Sequence, residues 1–312
     1  MQIPFAFHTD LAGLWPEWGR FRDALKRRDW PACRSVLDTV SPARRTSLLQ
    51  HGAEEKNLED WLRGLIREDT GDGALFALLG HHLTNVGWDI RTASQASRVS
   101  RAQWRAFYEW VEKAEQVLIE GVARHPGDPA VWTMRLTSGR GISLGQDEAA
   151  RRYDRLCAID QHHLPAQTDH LQQLLPKWGG DWERAHTFAR ERTFAAPPGS
   201  PQAMMVPIVY LEHMYDTDGG FAGPVKDTGA LPALHEAANH SIWHPAFVAG
   251  QIESDLVLGQ FAVGFRYFGD RAATARVFQQ MDRRAVLEPW SYLDESVTAV
   301  AAARLWAGGG AK

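Results

Sequence analysis

The chain has 312 residues, of which 44% are hydrophobic and 23% charged, a composition that is typical of a folded globular protein and argues against extensive disorder. Its formal net charge of −4 provides no global basic field, so nucleic acid is not an expected partner. Two distant cysteines, Cys33 and Cys157, exclude a disulfide framework, and no window approaches 18 consecutive apolar residues, so we expect no membrane span and a cytoplasmic location.

Helical periodicity dominates the chain, and alternating strand patterns are almost absent. Residues 17–67 predict about four short helices, one of which begins at the Asp29-Trp30-Pro31 step. The thirteen tryptophans predict large side chains that fill the gaps between packed helices, with a groove lining as the alternative. We therefore predict an all-α fold.

A polar segment separates the next two helical patterns. Residues 73–85 predict a helix, and the polar stretch 87–101 predicts a long exposed loop. Its Arg91 and Arg98 could clamp a carboxylate or phosphate, although loop arginines also serve solubility alone. Apolar residues then recur at three- and four-residue steps from Arg101 to Arg124, which predicts a helix that ends at His125-Pro126-Gly127.

A repeat organises the following residues. Pro129, Pro165 and Pro201 stand 36 residues apart, and each precedes a helical pattern; a fourth copy begins at Pro245. Proline suits the first turn of a helix, where its missing N–H would have had no partner. A second helical segment follows three of these openings, each time after a glycine, namely Gly145, Gly180 and Gly269. Such internal self-similarity is typical of stacked helix pairs.

Small residues begin these second helices, and an aromatic residue follows about one turn later, as in Ala149 with Tyr153. Trp132, Ala149 and Tyr153 lie near the positions where tetratricopeptide repeats prefer a tryptophan, a small residue and an aromatic. The chain resembles that family over roughly residues 72 to 283. It departs from the family at Arg135 and Gly139, where the consensus has leucine and tyrosine.

The segment LLPKWGGDWERAHTFARE, with its Lys177-Trp178-Gly179-Gly180 motif, also resembles an uncharacterised group of bacterial helical-repeat proteins that has no established activity. A further departure is the insertion at residues 216–230. The two resemblances imply an α-solenoid of tetratricopeptide-like hairpins. We assign residues 1–70 to an N-terminal helical cap, with a separate unit as the alternative, and residues 71–312 to the helical-repeat domain.

Familiar catalytic and cofactor motifs are absent from the sequence: it has no P-loop, no dinucleotide-binding glycine pattern and no Gly-x-Ser-x-Gly elbow. We therefore predict no cofactor. His235 and His240 are five residues apart, which turns them away from each other on a helix and argues against a zinc-protease site. Glu183 and His186 have the spacing of di-iron bundles but lack a second such pair, so we assign no metal.

A polar stripe on the helix after His163 is the main candidate for a binding groove, because repeat proteins bind ligands on their concave face. An ordinary wet surface is the alternative. We predict that the groove is lined by the polar side chains of the first helices, namely Thr133, Thr137, Arg140, His163, Gln167, His170, Lys177, Glu212 and His213. Trp178 is expected to pack where the chain turns.

Two functions of different classes follow from these features. The first is a scaffold that holds a protein or peptide partner on the concave face of a solenoid. The alternative is an enzyme, or a protein that binds a small molecule or a metal, with a site in the same groove. That site would use His163, His170, Glu212, His213 and Arg140, and the sequence leaves open whether the protein is an enzyme.

Overall fold

The computed structural model describes residues 9–92, 94, 98–217, 229–281, 284–287, 289–290 and 296–308. Within these ranges the chain is all-helical, as predicted. Its helices are α1 Leu11–Leu14, α2 Pro16–Lys26, α3 Trp30–Leu37, α4 Pro42–Gly52, α5 Glu59–Glu68, α6 Gly73–Arg91, α7 Arg101–Arg124, α8 Pro129–Gly141, α9 Gln146–Cys157, α10 Leu164–Gln173, α11 Trp182–Ala195, α12 Met205–Thr217, α13 Ala230–His240, α14 Ile252–Tyr267, α15 Arg271–Met281 and α16 Ser296–Gly308. Short 3-10 turns at Pro176–Trp178 and Pro201–Met204 precede α11 and α12. No described helix is long and apolar enough to cross a membrane.

The helices form two compact units. The N-terminal unit is Glu17–Asp181, and the C-terminal unit combines Trp182 onwards with the residues up to Pro16. The predicted boundary at residue 70 falls inside the N-terminal unit. It does so because α4 packs on α6, α8 and α10, and α5 packs on α6, which places these early helices in one unit with α6, α8 and α10.

Helix starts follow the local signals in the sequence. Asp29 and Ser100 accept hydrogen bonds from the first-turn backbone of α3 and α7, and Ser100 forms a reciprocal capping box with Gln103. Helix α7 spans Arg101–Arg124, and His125 is its C-cap, which confirms the predicted limits. Helix α6, in contrast, continues to Arg91, so the predicted loop at 87–101 is shorter than expected, and part of it lies outside the described residues.

Three of the four repeat prolines open helical segments as predicted. Pro129 and Pro165 lie in the first turns of α8 and α10, and Pro201 begins the 3-10 turn that leads into α12. The prediction for Pro245 is wrong, because Pro245 lies in a turn and α14 begins seven residues later at Ile252. Reciprocal bonds between Gln251 and Ser254 start that helix.

Helices α6 and α7 approach closely through glycines. A Cβ atom on Gly80 would lie 2.4 Å from Leu118, and one on Gly121 would lie 2.8 Å from Phe76. Helix α6 also contacts α8, and α8 contacts both α9 and α10. The first helices of successive pairs are therefore neighbours in the N-terminal unit.

A buried ion network joins α7, α8 and α9. Glu115 accepts hydrogen bonds from Arg135 at 2.5 Å, from Arg152 at 2.6 Å and from Ser138 at 2.6 Å. Gly139 makes room for this network, since a Cβ there would lie 2.8 Å from Arg152 Nη1. The two departures from the repeat consensus, Arg135 and Gly139, thus belong to one structural feature.

The tryptophans pack between helices, as predicted. Five of them are buried, and the other eight are half-buried. Seven of the half-buried rings carry an arginine or lysine over one face, as in Arg28 over Trp61 and Arg276 over Trp243.

Candidate functional site

Helix α4 lies against the polar stripe that the sequence predicts for a groove. Thr46 Oγ1 is 3.0 Å from His163 Nε2, and Gln50 donates a hydrogen bond of 3.1 Å to the Asp169 carboxylate. Arg45 on the same helix pairs with Asp128 at 2.9 Å. The N-terminal helices therefore cover part of the surface that the sequence assigned to a ligand.

This covering explains why much of the predicted groove has little solvent exposure. His163 and Gln167 are 0% and 1% exposed, and Thr133 donates its hydroxyl to the Pro129 carbonyl inside α8. His170 is also buried, stacked on Tyr153 with ring centroids 4.2 Å apart. These four side chains are therefore buried in the interior of the N-terminal unit and do not form a solvent-exposed row of polar groups.

Thr137 and Arg140 meet a carboxylate that the sequence stripe did not include, Asp169. Arg140 donates to the Asp169 backbone carbonyl at 2.9 Å and to its carboxylate at 3.3 Å, and both side chains keep 12–14% exposure. Burial raises the pKa of Asp169, and Arg140, Thr137 and Gln50 oppose that rise. Asp169 is thus enclosed by protein and still reachable by solvent.

His81 on α6 belongs to the same neighbourhood. Its pKa is lowered to about 4, chiefly by burial; Glu54 opposes this effect, and the charges of His51 and Arg140 add to it. The side chain is nevertheless only half-buried, and its Nδ1 has no hydrogen-bond partner among the described residues. The His81 ring is thus surrounded by protein and partly accessible, as expected for a side chain on a concave surface. We call Gln50, His81, Thr137, Arg140 and Asp169 the polar site.

Trp178 forms one edge of the polar site. The Arg140 guanidinium lies 5.8 Å from the centre of its ring, and Trp88 meets it edge-to-face at 5.9 Å. Gln146 on α9 donates to the Trp178 carbonyl at 2.9 Å. The preceding residue, Lys177, is exposed.

The two glycines of the Lys177-Trp178-Gly179-Gly180 motif fix this edge. Gly179 has φ of 83°, a left-handed conformation that favours glycine. A Cβ on Gly180 would lie 1.9 Å from the Leu174 carbonyl oxygen, so only glycine fits there. The motif therefore describes a turn that holds Trp178 beside Arg140.

The two loop arginines differ in their surroundings. Arg91 lies between Trp88 and Trp104, 5.4 and 5.1 Å from the ring centres, and donates to the Thr92 and Ser94 carbonyls. Arg98 is exposed. The loop carbonyls thus hold Arg91 against Trp88, which itself contacts Trp178. A side chain that is held in this way lacks the freedom expected of a clamp.

Glu212 and His213 lie on α12 in the C-terminal unit. Glu212 is 5% exposed, and His213 Nδ1 is 2.9 Å from His186 Nε2. The sequence placed these residues in one ladder with the residues of α8 and α10. The structure gives His213 a different partner, His186 on α11.

Comparisons of the chain with models of protein families and with curated proteins find no match. The chemistry of the site thus rests on its own residues. It combines a cation fixed by a carboxylate, an imidazole whose buried Nδ1 has no hydrogen-bond partner among the described residues, and an aromatic wall. Such a set can bind a polar group beside an apolar one.

Three residues of the polar site were missed in the sequence: Gln50, His81 and Asp169. The polar stripe predicted from the sequence runs through Gln167 and His170, whose side chains are buried, and it does not include Asp169. Gln50 and His81 come from α4 and α6, more than 80 residues from Asp169. No local spacing connects them, because the packing of α4 on α10 brings them together.

Proposed function

We propose that the protein binds a protein or peptide partner, and that the polar site holds an acidic side chain of that partner. The observation that carries this proposal is the placement of Arg140, which Asp169 fixes beside Trp178. Two of the five N–H donors of its guanidinium bond to Asp169, which leaves donors for a carboxylate.

The surroundings of Arg140 support an acidic peptide in particular. Asp169 offsets part of the Arg140 charge, which by itself disfavours a second carboxylate, but the exposed Lys177, adjacent to Trp178 in the sequence, adds a cation at this edge. An apolar side chain of the ligand can pack on Trp178 while its carboxylate meets Arg140. We keep the expectation of a cytoplasmic location. We also keep the expectation of no nucleic-acid partner, which the net charge of −4 supports.

The architecture that we propose for this function is a row of tetratricopeptide-like hairpins. Neighbouring pairs α6/α7 and α8/α9, with α10 beside α8, support it. Helix α4 would then line the inner face of the first repeats, and the polar site would be the part of that face that α4 leaves accessible. A crystal structure that shows a different pairing of these helices would refute the hairpin arrangement.

Peptide selection tests the proposed binding. A random peptide library is selected against the wild-type chain, and the Kd of enriched peptides is measured by fluorescence anisotropy. We expect enrichment of acidic peptides. Lys177→Glu and Arg140→Glu should each weaken binding roughly tenfold or more, the loss expected for about 1.4 kcal/mol of interaction.

Arg105→Glu is the matched control, because Arg105 is a 79% exposed arginine on α7 that belongs to neither the polar site nor its edge. It should bind like the wild type. Circular dichroism establishes that the variants keep their helical content, and Lys177, being exposed, provides a charge reversal that leaves the interior intact. Failure to enrich any peptide, or equal binding by all three variants, would refute the proposal.

A further inference from the structure

A histidine pair in the C-terminal unit has the geometry of a metal chelate. His186 on α11 and His213 on α12 direct Nε2 and Nδ1 at each other across 2.9 Å. Both side chains are half-buried, so solvent reaches them. Two imidazole nitrogens that converge in this way can either share a proton or bind one metal ion.

Neighbouring rings hold both imidazoles in place. Trp182 stacks on His213 with ring centroids 4.3 Å apart and an angle of 11°, and Tyr210 meets His186 edge-to-face at 4.5 Å. Helices α11 and α12 pack against each other along this stretch. A chelate that is oriented before the metal arrives loses less conformational entropy on binding.

A neutral imidazole has a lone pair on one ring nitrogen and a proton on the other. In this pair one inner nitrogen donates the shared proton to the other. The ring that donates this proton can carry it on its outer nitrogen instead, which leaves both inner nitrogens with a lone pair for a metal ion.

We propose that His186 and His213 form a bis-histidine site for a late divalent transition metal, with Cu²⁺ or Zn²⁺ as the fitting ions. Imidazole suits these ions rather than Mg²⁺ or Ca²⁺, which prefer oxygen ligands. The described residues supply no cluster of three or more His, Cys, Asp and Glu ligands here. Water or an external ligand therefore completes the coordination, and the ion links α11 to α12.

Copper binding tests the site on the full-length chain. One equivalent of Cu²⁺ is added at pH 7.5, and continuous-wave electron paramagnetic resonance is recorded with isothermal titration calorimetry. We expect a 1:1 complex whose superhyperfine splitting shows two equivalent nitrogen ligands. Zn²⁺ should raise the Tm of the C-terminal unit, because it binds the folded pair.

His186→Gln and His213→Gln should each abolish the two-nitrogen spectrum and the Zn²⁺-dependent rise in Tm. His244→Gln is the control, since it removes a histidine of the same unit outside the pair. A wild-type spectrum with one nitrogen ligand, or the same copper complex in the His186→Gln and His213→Gln variants, overturns the proposal. The wild-type spectrum gives this answer even if a variant fails to fold.

Discussion

Glu115 is a buried carboxylate that two arginines and a serine surround completely enough to leave it 7% exposed. Burying three charges is costly, and their mutual hydrogen bonds offset that cost. Removal of Glu115 would leave Arg135 buried without its carboxylate partner and Arg152 with Glu148 as its remaining one. The network thus makes the packing of α7, α8 and α9 depend on one side chain.

We expect Glu115→Gln to lower the free energy of unfolding by about 3–5 kcal/mol, the usual effect of breaking a buried ion pair. Urea denaturation followed by circular dichroism measures this change. Glu120→Gln serves for comparison, because the side chains of Glu120 and Arg124 are 49% and 46% exposed, and such pairs contribute less than about 1 kcal/mol. Equal losses in the two variants would show that Glu115 is not an anchor of the network.

The contacts of this network could not be predicted from the sequence, although its residues are visible there. Arg135 and Gly139 stand out only as departures from a repeat consensus. Their explanation requires Glu115, which lies 20 residues before Arg135 on the preceding helix α7, and Arg152 on the following helix α9. A consensus compares equivalent positions and carries no information on contacts between successive pairs.

Helices α6 and α7 approach closely because glycines at their contact, Gly80 and Gly121, have no side chain. We expect Gly80→Ala to destabilise the N-terminal unit by roughly 1–3 kcal/mol, because the added methyl group overlaps Leu118. The cost should be smaller when Leu118 is already alanine. A double-mutant cycle on the unfolding free energies measures that coupling.

Gly64→Ala in α5 is the corresponding control. A Cβ there meets nothing nearer than 3.9 Å, so the higher helix propensity of alanine should stabilise the protein by about 0.5–1 kcal/mol. If Gly80→Ala is stabilising as well, the close approach of α6 and α7 is not required.

Prediction of elements succeeded where the signal was local and complete. Helix α7 has a serine cap, continuous apolar periodicity and a His-Pro-Gly end, and its limits are confirmed. The prediction of a helix start at Pro245 is wrong because it relied on the analogy with Pro129 and Pro165. The local capping bonds between Gln251 and Ser254 determine the start of α14 instead.

At the scale of the whole molecule, both units contain histidines whose pKa burial lowers, His82 and His163 of the N-terminal unit among them. His81 in the N-terminal unit and His186 in the C-terminal unit both have a pKa lowered to about 4, from an ordinary value of 6.5. The unfolded chain binds more protons than the folded chain between these values. Stability is therefore fully present above about pH 6.5 and declines as the pH falls toward 4.

We expect the urea midpoint of the wild type to fall as the pH decreases from 7 to 4.5. His81→Gln and His186→Gln should each reduce that dependence, because each removes one group that gains a proton on unfolding. Carboxylates contribute to both proteins, so the difference between wild type and variant is the informative quantity. Identical slopes in wild type and variants would contradict the assignment.

Organisation into units could not be predicted from local sequence. The boundary at residue 70 followed the start of the repeat pattern, whereas the structure divides the chain after Pro16 and Asp181. Helix α4 carries no repeat signature, and its place among α6, α8 and α10 depends on side chains such as Thr46 and Gln50 that meet distant partners. Composition and periodicity predict the all-helical class but not how the helices are divided between the two units.

The position of α4 has a consequence for how the chain is made. Its hydrogen-bond partners His163 and Asp169 follow Thr46 and Gln50 by 117 and 119 residues, so α4 leaves the ribosome long before they exist. Trp15 donates a hydrogen bond to Asp255, which is synthesised 240 residues later. At about 5–20 residues per second these side chains lack those partners for several seconds or more, a period in which α4 has only the helices made before those partners, such as α6, to pack on and chaperones have access to it.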